Sequence, residues 1–226
     1  MSKRSKRYLE SKKKVDSDKK YGLKEAIDLL KSFKIAKFDE SVEVAMKLGI
    51  DPKQSDQLIR GSISLPKGIG KSLKVIVFAS GEKAEIARKA GANEVGAEDL
   101  VKKVDGGWTD FDVAIATSDM MKFVGRLGRV LGPQGKMPSP KSGTVTDDVE
   151  TAVKEFKAGK IEYRTDAGGN VHALVGRVSF SNADLEDNID TFVKHIMNSR
   201  PASAKGVFVE KASVSSTMSP GIMFQI

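Results

Sequence analysis

The chain has 226 residues, of which 39% are hydrophobic and 30% charged, with a formal net charge of +8; this is length for one large domain or two ordinary ones. It contains no cysteine and only two histidines, His172 and His195, which excludes disulfides, thiolate chemistry and Cys- or His-rich metal sites and fits a reducing compartment. The longest apolar run, 73–79, is interrupted by Lys74, so no segment approaches the ~18 apolar residues of a membrane span, and the basic N-terminus has no apolar stretch behind it to serve as a secretory signal.

Leu23, Ile27 and Leu30 mark the apolar stripe of a short amphipathic helix over 22–32. Over 41–48, Val42, Val44, Met46 and Leu48 alternate with Ser41, Glu43 and Lys47, the pattern of a strand with one face buried and one wet. A breaker cluster follows at 66–70, Pro-Lys-Gly-Ile-Gly, and the pattern changes. Residues 75–79 are a β-branched-rich run of a strand buried on both faces. A helical stretch over 82–90, the segment 94–96, a helix over 97–104, an apolar strand over 112–117 and helical patterns over 119–131 and 147–157 come next. Strand and helix alternate at βαβ spacing, which predicts a parallel-sheet, Rossmann-like α/β domain.

Past Gly159 half-wet strands return at 161–165 and 171–180, flanking Asp166-Ala-Gly-Gly-Asn170 as a hairpin turn. Residues 181–184 start a helix whose stripe is Leu185, Ile189, Phe192, Val193 and Ile196, and a last alternating strand covers 206–216. Neither outer piece buries a core alone. Joined, they predict a discontinuous α+β sandwich domain, mainly antiparallel, from 1–66 and 159–226, into which the Rossmann-like domain, 67–158, is inserted. Gly68, Gly70 and Gly159 would form a two-strand hinge.

The charge is concentrated. Residues 1–20 carry nine Lys/Arg against Glu10, Asp16 and Asp18, and residues 120–141 carry Lys122, Arg126, Arg129, Lys136 and Lys141 with no acid; the remainder is slightly acidic. Two basic segments on such a body point to a polyanionic partner. Within 120–145 Arg126 and Arg129 share a helix face, Gly125, Gly128, Gly132 and Gly135 allow close backbone approach, and three of the seven prolines stiffen the loop, a surface suited to a phosphate backbone.

Catalytic motifs fail on context. Gly68-Ile-Gly-Lys71 precedes its strand instead of following it, and Gly135-Lys136 lacks both the first glycine and the Ser/Thr of a phosphate loop. His172 has no serine or carboxylate partner with motif-level support. The residues therefore predict no catalytic site, no metal and no cofactor. The rival reading, a nucleotide-binding enzyme using the inserted domain, meets Ala79-Ser-Gly-Glu82 after the first strand, an acid where an anion would bind.

The run Gly125-Arg-Leu-Gly-Arg-Val-Leu-Gly-Pro-Gln-Gly-Lys-Met-Pro-Ser-Pro-Lys-Ser-Gly-Thr-Val145, with Lys37-Phe-Asp-Glu-Ser-Val-Glu-Val44, Leu48-Gly-Ile-Asp-Pro52, Arg60-Gly-Ser-Ile-Ser-Leu-Pro66, Ala158-Gly-Lys-Ile-Glu162 and Ser216-Thr-Met218, closely resembles the bacterial form of a ribosomal family. This is the first-numbered protein of the large subunit, which binds RNA in the lateral stalk beside the transfer-RNA exit site. The resemblance implies the same split architecture with an insert that holds no cofactor. It implies direct contact with large-subunit (23S-type) rRNA, a mobile stalk that assists release of deacylated tRNA from the exit site, and translational repression through the leader of the protein's own operon mRNA. It also implies a monomer when free and a place on the cytoplasmic ribosome, with no membrane partner. A free regulatory RNA-binding protein with no ribosomal role is the second rival.

By the family's motif the rRNA contacts fall on Lys37, Phe38, Ser41, Glu43, His172, Arg177, Ser216, Thr217, Met218 and Ser219, and Lys122, Arg126, Arg129, Lys136 and Lys141 form a second basic RNA-facing surface. Register alone would put Phe38 in the core, with the parity of Val42; the resemblance puts it at the RNA. Ser41, Ser216 and Thr217 would exchange hydrogen bonds with 2′-hydroxyls, Glu43 would accept from a base amino group or sugar, and Phe38 and Met218 would be apolar walls. Ser219 stands where the family usually has glycine; if the backbone there needs φ > 0, serine is strained by roughly 1 kcal/mol.

Overall fold

The computed structural model describes residues 4–16, 19–33 and 36–226; Lys3 and Asp18, counted above in the basic N-terminal segment, lie outside them. The fold is mixed α/β with several sheets, and the chain divides into two units, Met1–Gly70 with Ile161–Ile226, and Lys71–Lys160.

The first unit opens on α1 (Lys6–Lys13), capped by Ser5, whose hydroxyl accepts from the Tyr8 N–H at 3.3 Å; part of the basic N-terminal segment is therefore helical. Next come α2 (Leu23–Lys31), β1 (Ser41–Leu48) and β2 (Arg60–Ser64). The second unit runs β3 (Val75–Phe78), α3 (Glu82–Lys89), β4 (Glu94–Gly96), α4 (Glu98–Asp105) and β5 (Val113–Ala116). The helical pattern at 119–131 is a chain of short pieces, α5 (Met121–Val124) and α6 (Gly128–Gln134) separated by a 3₁₀ turn at Gly125–Leu127, because the glycines there weaken a continuous α-helix. Then comes α7 (Val149–Ala158). The chain returns to the first unit through β6 (Lys160–Arg164), β7 (Asn170–Arg177), α8 (Asn182–Asn198), β8 (Val209–Ser216) and β9 (Ile222–Phe224).

In the second unit the parallel sheet has the order β4-β3-β5. Alternate residues of β3 feed two cores. Ile76 and Phe78 pack with Leu100, Val124, Leu127 and Leu131 on one face, while Val75 and Val77 pack with Ala87, Val153 and Phe156 on the other. Both faces are covered, as the uninterrupted apolar composition of β3 requires.

The main sheet of the first unit is antiparallel, in the order β7-β1-β8-β9. Val42, Val44, Met46 and Leu48 are fully buried, beneath α2 and α8, which pack on this side of the sheet. The hairpin expected from 161–165 and 171–180 is corrected. The turn exists, with the Asp166 N–H donating to the Asn170 carbonyl at 2.8 Å, but its strands part into different sheets: β7 joins β1, and β6 joins the unforeseen β2. Tyr163 explains the divergence. Its hydroxyl lies 2.8 Å from His195 Nε2 on α8, and on β2 it faces Gly61, where an added Cβ would sit 2.7 Å from that hydroxyl. β9 was also unforeseen, and β8 starts at Val209 rather than 206.

Asn188 of α8, fully buried, accepts from the Lys67 N–H at 3.1 Å and donates to the Gly68 and Val175 carbonyls at 3.0 and 2.8 Å. Arg177 Nε donates to the Gly70 carbonyl at 3.2 Å. These bonds hold 67–70 to the first unit, so its limit falls after Gly70 rather than after residue 66. Gly68 and Gly70 have φ of 63° and 67°, the left-handed region that glycine enters without strain. Replacing Asn188 by Leu leaves the Val175 carbonyl buried without its donor, and the first unit is expected to lose about 2 kcal/mol, measured as a lower urea midpoint.

Candidate nucleic-acid interface

The side of the main sheet away from α2 and α8 is open. β1 contributes Ser41, Glu43, Ala45 and Lys47; β8 contributes Lys211, Ser213 and Ser215; β7 contributes His172 and Leu174; all are exposed or half-buried. The register aligns Glu43 with Ser215 and Leu174, and Ala45 with Ser213 and His172. The surface is thus a shallow row of hydroxyls around one carboxylate.

One end of this face is built on a buried acid. Glu40, 3% exposed, accepts at Oε1 from the Ala36 N–H at 2.9 Å, and at Oε2 from the Ser216 hydroxyl at 2.6 Å and the Met218 N–H at 3.1 Å. Burial pushes its carboxyl up, but these three donors and the charge of Arg7 outweigh it and hold the group below its ordinary value of 4.5. Asp39 beside it accepts from the Ser179 hydroxyl at 2.8 Å. With Asp39 and Glu40 anchored, Phe38 is left 51% exposed, and Met218 is 49% exposed. The core position that register offered to Phe38 is not taken up.

Thr217 is exposed and locked to the start of β1. Its hydroxyl accepts from the Ser41 N–H at 3.1 Å and lies 3.4 Å from the Ser41 carbonyl. Ser216 departs from expectation. Its side chain is buried on the packed side and committed to Glu40, because it has the opposite parity to Ser215 and Thr217. At Ser219 the feared strain is absent: no described non-glycine residue has positive φ, and the Ser219 hydroxyl accepts from the Ser216 N–H at 2.9 Å, closing the turn 216–219.

Of the other expected contacts, Lys37 is exposed. Arg177 is half-buried and spends its guanidinium on the Asp39 carbonyl at 2.9 Å and on Gly70. His172 has a 59% exposed side chain with Nε2 3.8 Å from Asp166 Oδ2. Asp166 is itself held down to about 2, first by the Asn170 side chain, then by the Asn170 and Gly168 N–H groups. On the second unit, Lys122, Arg126, Arg129 and Lys141 are exposed. Lys136 leaves that group: its ammonium donates to the carbonyls of Thr109 and Phe111 at 2.9 and 2.5 Å. Cβ atoms added at Gly125, Gly128, Gly132 or Gly135 would meet nothing within 4 Å, so this segment presents bare backbone beside its arginines. Among the described residues no three His, Asp or Glu side chains converge as a metal site, and no helix is long and apolar enough to cross a membrane.

The sequence model of the ribosomal protein L1p/L10e family matches residues 30–220. The chain belongs to this family. The large ribosomal subunit protein uL1 of Kosmotoga olearia is similar to it, with 55% identity over 222 residues, 98% of this chain and 96% of that protein. The matched span contains every strand of the main sheet except β9, which extends from 222 to 224.

The residue that sequence reasoning missed is Glu40. Its signal was parity: it continues the buried series Val42, Val44, Met46, Leu48 one step upstream, and an acid in that series requires internal donors. Glu40→Gln replaces one acceptor oxygen with an NH₂ that must face a donor. We expect a loss of about 2 kcal/mol at neutral pH. Because the folded carboxyl lies below 4.5, its contribution is complete above that value and fades as pH falls through the folded pKa. The gap in thermal stability between wild type and variant should therefore be full near pH 7 and narrow below about pH 4.5.

Proposed function

We propose that the chain binds large-subunit (23S-type) rRNA through the open face of its main sheet. As a member of a ribosomal-protein family it is a structural protein of the large subunit, located on the cytoplasmic ribosome, and not an enzyme. The observation that carries the binding reading is the pairing of two exposed apolar side chains, Phe38 and Met218, with a hydroxyl-lined β surface, both set by one buried carboxylate.

Structured RNA offers 2′-hydroxyls and phosphates across a wide, shallow minor groove. Thr217, pre-set by Ser41, and the hydroxyl of Ser41, which has no hydrogen-bond partner among the described residues, suit the sugar edge. Glu43 accepts only, and so takes a base amino group or a 2′-hydroxyl. Phe38 and Met218 shield these bonds from water and raise the cost of breaking them. Ser216 acts through Glu40, without touching RNA. Lys37, His172 and Arg177 border the face, and Lys122, Arg126, Arg129 and Lys141 give the second unit its own backbone-binding surface. The first unit is read as the rRNA-anchoring α+β sandwich and the second as an inserted Rossmann-like lever of a lateral stalk that assists release of exit-site tRNA. Gly159, with φ of 113° at the end of α7, is one pivot; the other lies beyond Gly70, since the carbonyls of Gly68 and Gly70 are held by Asn188 and Arg177. The same face suits a matching fold in the leader of the protein's own mRNA, which would make it a translational repressor.

Thr217→Val should weaken binding of purified large-subunit rRNA by about 2 kcal/mol, a ~30-fold rise in Kd, with Thr217→Ser close to wild type; unchanged affinity in a calorimetric titration would refute the reading. The salt dependence should be modest for a protein of +8. A slope of log K on log[salt] corresponding to about eight or more phosphates would assign binding to the basic segments instead.

A further inference from the structure

The open face continues past Glu43. Two register steps on, Lys47 of β1 stands directly opposite Lys211 of β8. Like charges facing each other across an antiparallel pair destabilise it, and among the described residues no carboxylate lies within 4.0 Å of either ammonium. Of the nearby acids, Asp166 is engaged within its own turn. Asp166 accepts from the Gly168 and Asn170 N–H groups at 2.8 and 2.7 Å. Glu210 sits at the irregularity where β8 shifts register, with Oε1 3.6 Å from where a Cβ on Gly49 would stand. The Lys47 ammonium donates to the Gly168 carbonyl, which ties it to the turn beside His172 without neutralising it.

Ser213 and Ser215 lie between this pair and Thr217, on the same face of the same strand. From Lys211 to Thr217 the distance along β8 is about 20 Å at roughly 3.4 Å per residue. We propose that Lys47 and Lys211 form a backbone-phosphate subsite at the end of the face remote from Phe38 and Met218. An RNA strand lying along β8 presents sugar edges to the hydroxyls of Ser213, Ser215 and Thr217 and a phosphate to the two lysines. The carboxylate of Glu43 repels phosphate from the middle of the face, and the lysine pair attracts it at the end, so charge alone sets the register of the strand. This inference rests on the RNA-binding reading above and adds to it the residues that fix position along the sheet.

The test is a salt titration of the full chain with purified large-subunit rRNA, using Lys47→Gln, Lys211→Gln, the double variant, Lys211→Arg and Thr217→Val. The double glutamine variant should lower the slope of log K on log[salt] by about one, the contribution of a single phosphate, and each single variant by no more than that. Lys211→Arg should retain the wild-type slope, and Thr217→Val should lose affinity at unchanged slope. The double glutamine variant should melt no lower than wild type, since a repulsive pair has been removed. Glutamine variants with wild-type slope, beside a weakened Thr217→Val, would overturn the phosphate subsite and leave the face reading standing. Wild-type affinity in Thr217→Val would overturn the reading beneath it.

Discussion

One carboxylate joins the two ends of this chain into a surface. Glu40 occupies an interior position where an unpaired charge would cost several kcal/mol, and it is tolerated because three donors converge on it, one from residue 36 and two from residues 216 and 218. Neither end of the sequence satisfies it alone. The carboxylate therefore demands that the loop before β1 and the turn after β8 be assembled together, and Phe38 and Met218 project from those two segments. Arg7 of α1 adds its charge to the same point, and the small cavity beside Glu40 is lined by Arg7 and Ser11 of α1 along with Met218 and Ser219. The N-terminal helix is thus part of the support of the same surface.

Periodicity made much of the fold legible. The strict alternation of 41–48, the apolar run at 75–78 and the 3.6-residue stripe of 182–198 each encode burial within one element, and each forms where the pattern put it. What periodicity lacks is the identity of a strand's partner. Residues 161–164 and 171–177 alternate and flank a turn, but whether they pair with each other is decided by Tyr163 reaching His195 and by Gly61 leaving room for it, contacts between residues far apart in sequence. The strands at 60–64 and 222–224 are too short for alternation to stand out. The same limit applied to the interface. Thr217, Met218 and Phe38 came from a family likeness, and register by itself argued against Phe38; the acid two residues later, in core phase, was the local clue that the chain had changed which residue it buried.

Composition likewise counts charges without their partners. Lys74, Lys83, Lys103, Lys154 and Lys160 each lie within 3 Å of a carboxylate, and Lys136 is taken up by two carbonyls. A net charge of +8 therefore says little about how a polyanion is held. The cations available to a polyanion are those the fold leaves without a carboxylate, among them the exposed group around Arg126 and Arg129 and the lysine pair at the end of β1 and β8.

The two sheets also differ in what they can offer a partner. A parallel sheet connected through helices is covered on both faces, and in the second unit both faces are filled, so its recognition surface is confined to strand ends and helices. The crevice at the carboxyl ends of β3 and β4, where such folds hold anionic ligands, is lined by Glu85, Glu94 and Asp99 against Arg88 and Lys103, and Lys103 is already bonded to Glu94 at 2.7 Å. An acid-rich crevice opposes a phosphate. An antiparallel sheet with helices on one side, by contrast, leaves a whole face wet, and only there can serine, threonine and glutamate repeat at alternate positions without the cost of burial. Which unit can offer an open sheet face follows from strand direction before any residue of that face is chosen.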